Sequence, residues 1–445
     1  MFGQCITAKA TDVVATVTNS SGEPTEYDNI NTAINKWVDG STLTLLSDVT
    51  FTDGDSSIDI SDKNVTLDLN GHGIISDSNF KKSIIYVRSG ATLNLNDSGA
   101  GKTEFLRCYY LDKTGLGYVV ESSNNETVQA SKRWQPFYGG YITGAWNGSE
   151  SKGGVVVNGG TLIMNSGAII GNDGADDYGS GKGGGVYVGG NGSFTMNGGL
   201  IAGNRSYNGG GVYCDDNASF VMNDGLIQDN YAKCFGAGVY VSGTFKMNIE
   251  MDKNNPANNR EKGIKYNRAW SGGGGVYIAD EGNFTMQDGE IIENHAYGLT
   301  DEGRCGGGVY IGLAGIFNMY GGRVCQNYSD KGAGVYLESS YSNFNIKGCA
   351  RVYWNMPIAS NAIKFEEGEV WVTDDELQEH YIAGDDENVY LPEDAKINVD
   401  ENIDFGEYGE SVFITMEKPG IFTNGWSYGN TQSYFDSDSS GKYVV

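Results

Sequence analysis

Between Gly153 and Leu337 apolar residues recur in short alternating runs, each opened by glycines and most closed by an asparagine. The clearest read GGGVYVGGNGSFTMNGGLIAGN (Gly183 to Asn204), GGGVYCDDNASFVMNDGLIQDN (Gly209 to Asn230) and GGGVYIGLAGIFNMYGGRVCQN (Gly306 to Asn327). Within each run the period is two. Val186 and Val188 share one face while Tyr187 takes the other, and Phe194 and Met196 share the next. In this region no window combines helical spacing with so high a glycine density, so the runs are strands.

The valine after the glycines returns at Val155, Val186, Val212, Val239, Val276, Val309 and Val335, with a unit of about 26 residues lengthened by insertions. So small a unit cannot bury its own apolar face and must stack on its neighbours. Stacking predicts three interior columns. The first is Phe194, Phe220, Phe245, Phe284, Phe317 and Phe344; the second is Met164, Met196, Met222, Met247, Met286, Met319 and Ile346. The third is Ile169, Ile201, Ile227, Met251, Ile291, Val324 and Val352. At one corner Asn172, Asn204, Asn230, Asn254, Asn294, Asn327 and Asn355 are expected to form an amide ladder along the stack. Three strands per unit make the chain all-β, a right-handed parallel β-helix forming one elongated domain over 1–445.

The pattern GGGVYV, then F-x-M, then G-x-I-x-x-N resembles the glycine-rich repeats of bacterial surface proteins with a pectate-lyase-like β-helix. It is distantly similar to the GGA-type repeats of polymorphic outer-membrane adhesins. The run Thr32 to Ile75 contains INKWVDGSTLTLLSDV and NVTLDLNGHGI and is similar to the opening coils of the same group. The resemblance implies a secreted or surface location and binding of glycans or host surface proteins. It leaves activity open, because this architecture carries lyases, glycosidases, transferases and inert adhesins alike.

Along the chain, residues 28–38 place Ile30, Ile34 and Trp37 at helical spacing behind Asp28, predicting a short helix that caps the first coil. Residues 101–139 form an aromatic-rich insertion, 140–355 the regular coils, and 356–445 looser coils with a Tyr-, Ser- and Asp-rich tail. The Ala8-Lys9-Ala10 triplet has the form of a signal-peptidase site but lacks the apolar stretch before it. The triplet reads either as the trace of a lost signal sequence or as coincidence, and the absence of an obvious polar end cap leads us to expect a fragment of a larger surface protein.

Charge narrows the partners. With 30 basic and 57 acidic side chains the net charge is −27, which disfavours nucleic acid and anionic membranes. No segment is apolar and long enough to insert in a bilayer. Seven cysteines without a C-x-x-C pair argue against a zinc cluster. Cys214 replaces an interior aliphatic residue, and Cys325 and Cys349 lie on neighbouring coils where they could pair. No cofactor is implied. Asp53, Asp55, Ser57 and Asp59 resemble the start of a calcium loop without its glycine and distal glutamate, which leaves calcium possible only on acidic turns.

Chemistry is expected on the insertions. Asp173 to Lys182, Asn255 to Ser271 and His295 to Cys305 are placed at one corner, as a wall along one edge. Its carboxylates Asp173, Asp176, Asp177, Asp301 and Glu302 are the candidate catalytic groups of a glycoside hydrolase. Candidate ligand-binding residues are Tyr178, Trp270, His295, Tyr297 and Arg304 on the wall, and Arg107, Tyr109, Tyr110, Arg133, Trp134 and Tyr138 on the 101–139 insertion, with Trp146 beyond it. Aromatic rings beside polar groups suit a sugar, which needs an apolar face and hydroxyl partners. The same aromatics would equally serve to pack the insertion onto the solenoid.

Two further arrangements enter. Tyr187, Tyr213, Tyr240, Tyr277, Tyr310 and Tyr336 should form an outward strip, either a contact surface or simply a stabilising stack. Glu250 and Glu290 would sit about 5 Å apart on adjacent coils, a retaining-glycosidase separation, although Arg323 beside Glu290 makes an ion-pair ladder the ordinary explanation. Regular threonine rows of the kind an ice-binding face would need are not expected. Three functions follow: an adhesin-like binder, a carbohydrate-active enzyme (a glycoside hydrolase before a polysaccharide lyase), or a rigid spacer.

Overall fold

The structure is a computed structural model; it describes residues 12–112, 114–121, 134–146, 152–175, 179–252, 254–298 and 304–357, with shorter stretches between 364 and 437. Each regular coil contributes one strand to each of three long sheets, and neighbouring coils pair in parallel. In one coil these strands are Val186–Gly189, Ser193–Met196 and Leu200–Ala202. We name the sheets by their inward residues: the valine sheet (12 strands), the phenylalanine sheet (14) and the isoleucine sheet (10). The chain is a parallel β-helix.

The core is built by like residues stacking on like. Phe194, Phe220, Phe245, Phe284, Phe317 and Phe344 are in register. Their ring centroids are 4.5 to 5.2 Å apart and their planes nearly parallel. All six are fully buried, as is the methionine column. Burying each such ring stabilises the fold by roughly 1.5–3 kcal/mol. Cys214 sits in the valine column opposite Val188, where burial pushes its thiol up to about 12.

Backbone geometry explains the glycine triplets. Gly183 takes φ +69°, in the left-handed region. A Cβ on Gly184 would lie 2.4 Å from the Arg205 carbonyl oxygen and one on Gly185 2.7 Å from that of Gly211. The first glycine turns the chain and the next two admit the adjacent coil.

The asparagine ladder exists with one member exchanged. Asn172, Asn204, Asn230, Asn267, Asn294, Asn327 and Asn355 each donate both backbone N–H and side-chain Nδ2–H to the Oδ1 of the next, and Asn388 ends the series. Asn267, not Asn254, holds the ladder position, and Ile264, not Met251, the core position before it. The segment between Asn248 and Gly263 is an excursion containing the 3-10 helix Pro256–Asn259. Both M-x-x-N and I-x-x-N match the repeat, and the chain uses the second.

That exchange relocates an insertion. Residues 250–262 leave between the phenylalanine and isoleucine strands, as does the 101–139 insertion, whereas 173–182 and 295–305 leave after the asparagine. The expected single wall is therefore replaced by excursions at two corners, flanking the isoleucine sheet on both sides. After the asparagine the strands Arg205–Ser206, Tyr231–Ala232, Arg268–Ala269 and His295–Ala296 form a further short parallel ladder. Single bridges extend it to Trp146 and Asp173 at one end and to Tyr328 and Met356 at the other.

At the start of the chain the helix spans Ile30–Lys36, with Asn29 rather than Asp28 as its cap. Strand Ala15–Thr18 pairs antiparallel with Pro24–Tyr27 and with Thr42–Leu45, so the phenylalanine sheet begins in a closed hairpin. Such a hairpin removes a free parallel edge.

Candidate functional site

The 101–139 insertion folds into a three-stranded antiparallel sheet of Leu106–Leu111, Gly117–Glu121 and Trp134–Tyr138. It lies over the outer face of the isoleucine sheet. Tyr109, Phe137, Tyr141, Ala168, Ile170 and Ala202 form a second apolar core between the two. At its base the Asp97 carboxylate accepts from the N–H groups of Gly71 and Gly140, both at 2.7 Å, and clasps the segment shut.

This placement sorts the candidate residues of the insertion. Tyr109 is fully buried, its hydroxyl donating to Asp229 Oδ2 at 2.7 Å and accepting from Gln228 Nε2 at 2.6 Å. Arg107 donates to the carbonyls of Gly71 (2.8 Å) and Gly139 (3.2 Å) and packs over the Tyr141 ring. Both fasten the insertion to the solenoid. Tyr110 stacks on Tyr118, centroids 5.6 Å apart, and Tyr138 is exposed. Trp134 begins the third strand of the insertion, while Arg133 lies outside the described residues.

Between the Gly117–Glu121 edge of this sheet and the corner after the isoleucine strands opens a cleft of about 650 Å³. One wall is Leu116, Tyr118 and Val119; the opposite wall is Gly144 to Trp146, Gly171, Asp173 and Ala175, with Arg205 and Lys233 at one end. Trp146 and Tyr118 keep 40% and 43% of their surface exposed, and Lys81 stands over the Trp146 ring. Asp173 is only 6% exposed and is held by the Arg205 guanidinium, which also donates to Thr114 on the insertion. Burial alone would lower the Arg205 pKa; the hydrogen bond and charge of Asp173 outweigh it and leave it raised. Burial, then the negative charge of Asp112, pushes the Tyr118 phenol up, so the hydroxyl stays a donor. The cleft thus offers two accessible aromatic faces and a neutralised ion pair.

The remaining candidates fall elsewhere. Asp176, Asp177, Tyr178, Asp301 and Glu302 lie outside the described residues. His295 and Tyr297 are buried along the corner ladder, His295 against Tyr328 and Tyr297 edge-on to Trp270. Burial holds the Tyr297 phenol well above its ordinary pKa. Arg304 donates to the Gly298 carbonyl and to Asp330, both at 2.7 Å. These side chains fasten the loop at 295–305 rather than line the cleft. Sequence reasoning missed Tyr118, Arg205 and Lys233; the signal for Arg205 was its place directly after a ladder asparagine.

The paired-carboxylate arrangement is overturned. Glu250 is exposed on the 250–262 excursion, and Gly263 occupies the position beside Glu290. Glu290 is 3% exposed and sits between Lys265, whose Nζ is 3.0 Å away, and Arg323. It is the anion of an ion triad in which Glu290 and Lys265 are buried and Arg323 is part-exposed. The tyrosine column points away from the core, yet it is covered. Its centroids run at 4.5 to 5.9 Å from Tyr187 to Tyr390, with Phe235, Lys152 and Lys182 packed over it. Cys325 and Cys349 are both free thiols, the first buried and the second exposed. In the stretch resembling a calcium loop, Asp55 accepts from Thr52 and Asn31 and Asp59 pairs with Arg88. Among the described residues no three His, Cys, Asp or Glu side chains are grouped to hold a metal, and no helix is long and apolar enough to cross a membrane.

The outer face of the phenylalanine sheet is different in kind. Thr92, Thr161, Ser193, Ser219 and Thr244 form one row across five coils, in register. Asn96, Asn165, Asn197, Asn223 and Asn248 form a second, each amide bonded to the next at 2.8 to 3.1 Å. Hydroxyl rows are therefore present, built from serine as well as threonine.

No family model, curated protein or solved structure matches this chain. The reading of its function rests on the site itself.

Proposed function

We propose that this β-helix is a secreted or cell-surface protein that binds glycans, in the manner of an adhesin, through the cleft between the inserted sheet and the asparagine corner. The observation that carries the reading is the pair of exposed rings, Trp146 and Tyr118, lining one cavity with the Asp173–Arg205 ion pair. Aromatic faces stack on sugar rings, and fixed charged groups accept and donate to hydroxyls. Hydrolysis requires two carboxylates with separate roles. Among the described lining residues Asp173 is the one carboxylate, and Arg205 occupies it. This favours binding over cleavage. The resemblance of the repeats to bacterial surface β-helices supports the location, as does the charge of −27.

The test is a soluble oligosaccharide array coupled to mass spectrometry of the bound sugars. Retention without new products is expected. Trp146→Ala should weaken it about tenfold or more, the loss expected for an aromatic anchor. Trp354→Ala, at an exposed tryptophan elsewhere, should leave it unchanged. Shortened products would replace binding with glycoside hydrolysis, and an array with no hits would remove the cleft as a glycan site.

A further inference from the structure

Two of the three faces of the solenoid carry a cover: the first coils of the isoleucine face lie under the inserted sheet, and the valine face lies under the segments over the tyrosines. The phenylalanine face is open. Across five of its fourteen strands, Thr92–Asn96, Thr161–Met164, Ser193–Met196, Ser219–Met222 and Thr244–Asn248, Lys246 is the one charged residue among the outward positions. In a chain of net charge −27 a platform that carries a single lysine and no carboxylate is the exception.

We propose that this face docks on the ordered surface of an insoluble, uncharged polysaccharide. Three features of the platform argue for that occupant. The strands pair in parallel with no register shift from Thr92 to Met247, so the hydroxyl row and the asparagine row each repeat at about 4.8 Å along the axis and stand about 13 Å apart across it, with Asn94, Ile163, Thr195, Val221 and Lys246 between them. Each ladder amide uses one N–H and one oxygen lone pair on its neighbours, leaving one donor and one acceptor free to meet hydroxyls. Because the amides already hold one another, little rotamer freedom is lost on contact. Near-neutrality selects against polyanions and polycations alike. A second copy of the chain is disfavoured by the like charge each carries.

The inference is independent of the cleft, and its test separates them. The whole chain is mixed with microcrystalline cellulose and with chitin particles, and depletion from the supernatant gives an isotherm. Wild-type protein should be retained on at least one particle. The double variant T195E/S219E, which puts two carboxylates mid-platform, should lose at least tenfold in retention with an unchanged melting temperature. K246A should keep retention, and also supplies the reading if the double variant fails to fold: its retention must equal or exceed that of wild type. W146A should be retained as well as wild type, since the cleft is not engaged. Failure of wild type to bind either particle, equal retention of T195E/S219E, or shaping of ice crystals without retention would each overturn the proposal.

Discussion

Replacing Asn230 by alanine tests the asparagine ladder where it is best defined. Its Oδ1 accepts from Asn204 N and Asn204 Nδ2, both at 3.0 Å, and its Nδ2 donates to the Ile201 carbonyl and to Asn267 Oδ1, both at 3.0 Å. Asn204, Asn230 and Asn267 are fully buried, so water cannot replace the lost partners. One group loses its partner with no substitute, the Asn204 N–H; the Ile201 carbonyl keeps its place in the parallel ladder with the Leu226–Gln228 strand. Asn204 Nδ2 still has the Ile169 carbonyl, and Asn267 Oδ1 still accepts from the residue 230 backbone. At about 1–3 kcal/mol for an orphaned buried group, the variant should lose roughly 1–3 kcal/mol locally. Asn197, in the exposed ladder, is the control. It makes one bond to each neighbour and its partners face water, so Asn197→Ala should cost under about 1 kcal/mol. A solenoid opens in parts, so the assay is hydrogen exchange resolved by peptide rather than a global melt. Exchange of the coils flanking residue 230 should accelerate about 10- to 100-fold in N230A and less than about fivefold in N197A. Equal acceleration in the two variants would refute the claim that buried amide satisfaction, not stacking alone, holds the corner.

Phe245→Ala should cost about 3–5 kcal/mol, read as increased urea sensitivity, because its ring is stacked at 4.7 and 4.5 Å between two others and no neighbour can fill the gap. Asp97→Ala should release the inserted sheet, so limited proteolysis would cut between residues 97 and 140 while the regular coils stay protected; unchanged cleavage would show that the second apolar core alone suffices. Glu290→Gln should destabilise by about 3 kcal/mol, since Lys265 and Arg323 lose their shared anion, and further loss of Lys265 should then cost little more. Burial pushes the thiols of Cys214, Cys305 and Cys325 from 9.0 up to about 12 and the Tyr240 phenol from 10.0 up to about 12. Folded values above unfolded ones mean that their contribution to stability is complete below about pH 9 and drains away as pH rises towards 12. A urea midpoint that stays flat across that window would contradict it.

The core was legible because chemically distinct residues recur at fixed places: phenylalanine, methionine and isoleucine each name their own column. The misplacement of one rung followed from local degeneracy, since Met251 to Asn254 and Ile264 to Asn267 satisfy the same pattern and only the pairing of Ile264 with Ile227 and Ile291 decides between them. The docking of the insertion had a trace that spacing alone did not reveal. Outward positions of the isoleucine strands are apolar under the inserted sheet (Ala168, Ile170, Leu200, Ala202), then charged beyond it (Lys265, Glu290, Arg323). The cleft itself was half visible. Trp146 and Asp173 could be singled out, but Tyr118 joins them only because an antiparallel hairpin carries it back across the coils, a long-range placement that no local period encodes.

Parallel register between coils also gives the molecule a mechanical direction. Strand-to-strand bonds run along the long axis, so tension applied end to end would load one rung at a time and peel the ribbon from a terminus. Each event would free about 26 residues, or roughly 90 Å of contour length. Shear across the ribbon meets many rungs at once. A rod built this way is compliant along its length and stiff across its width.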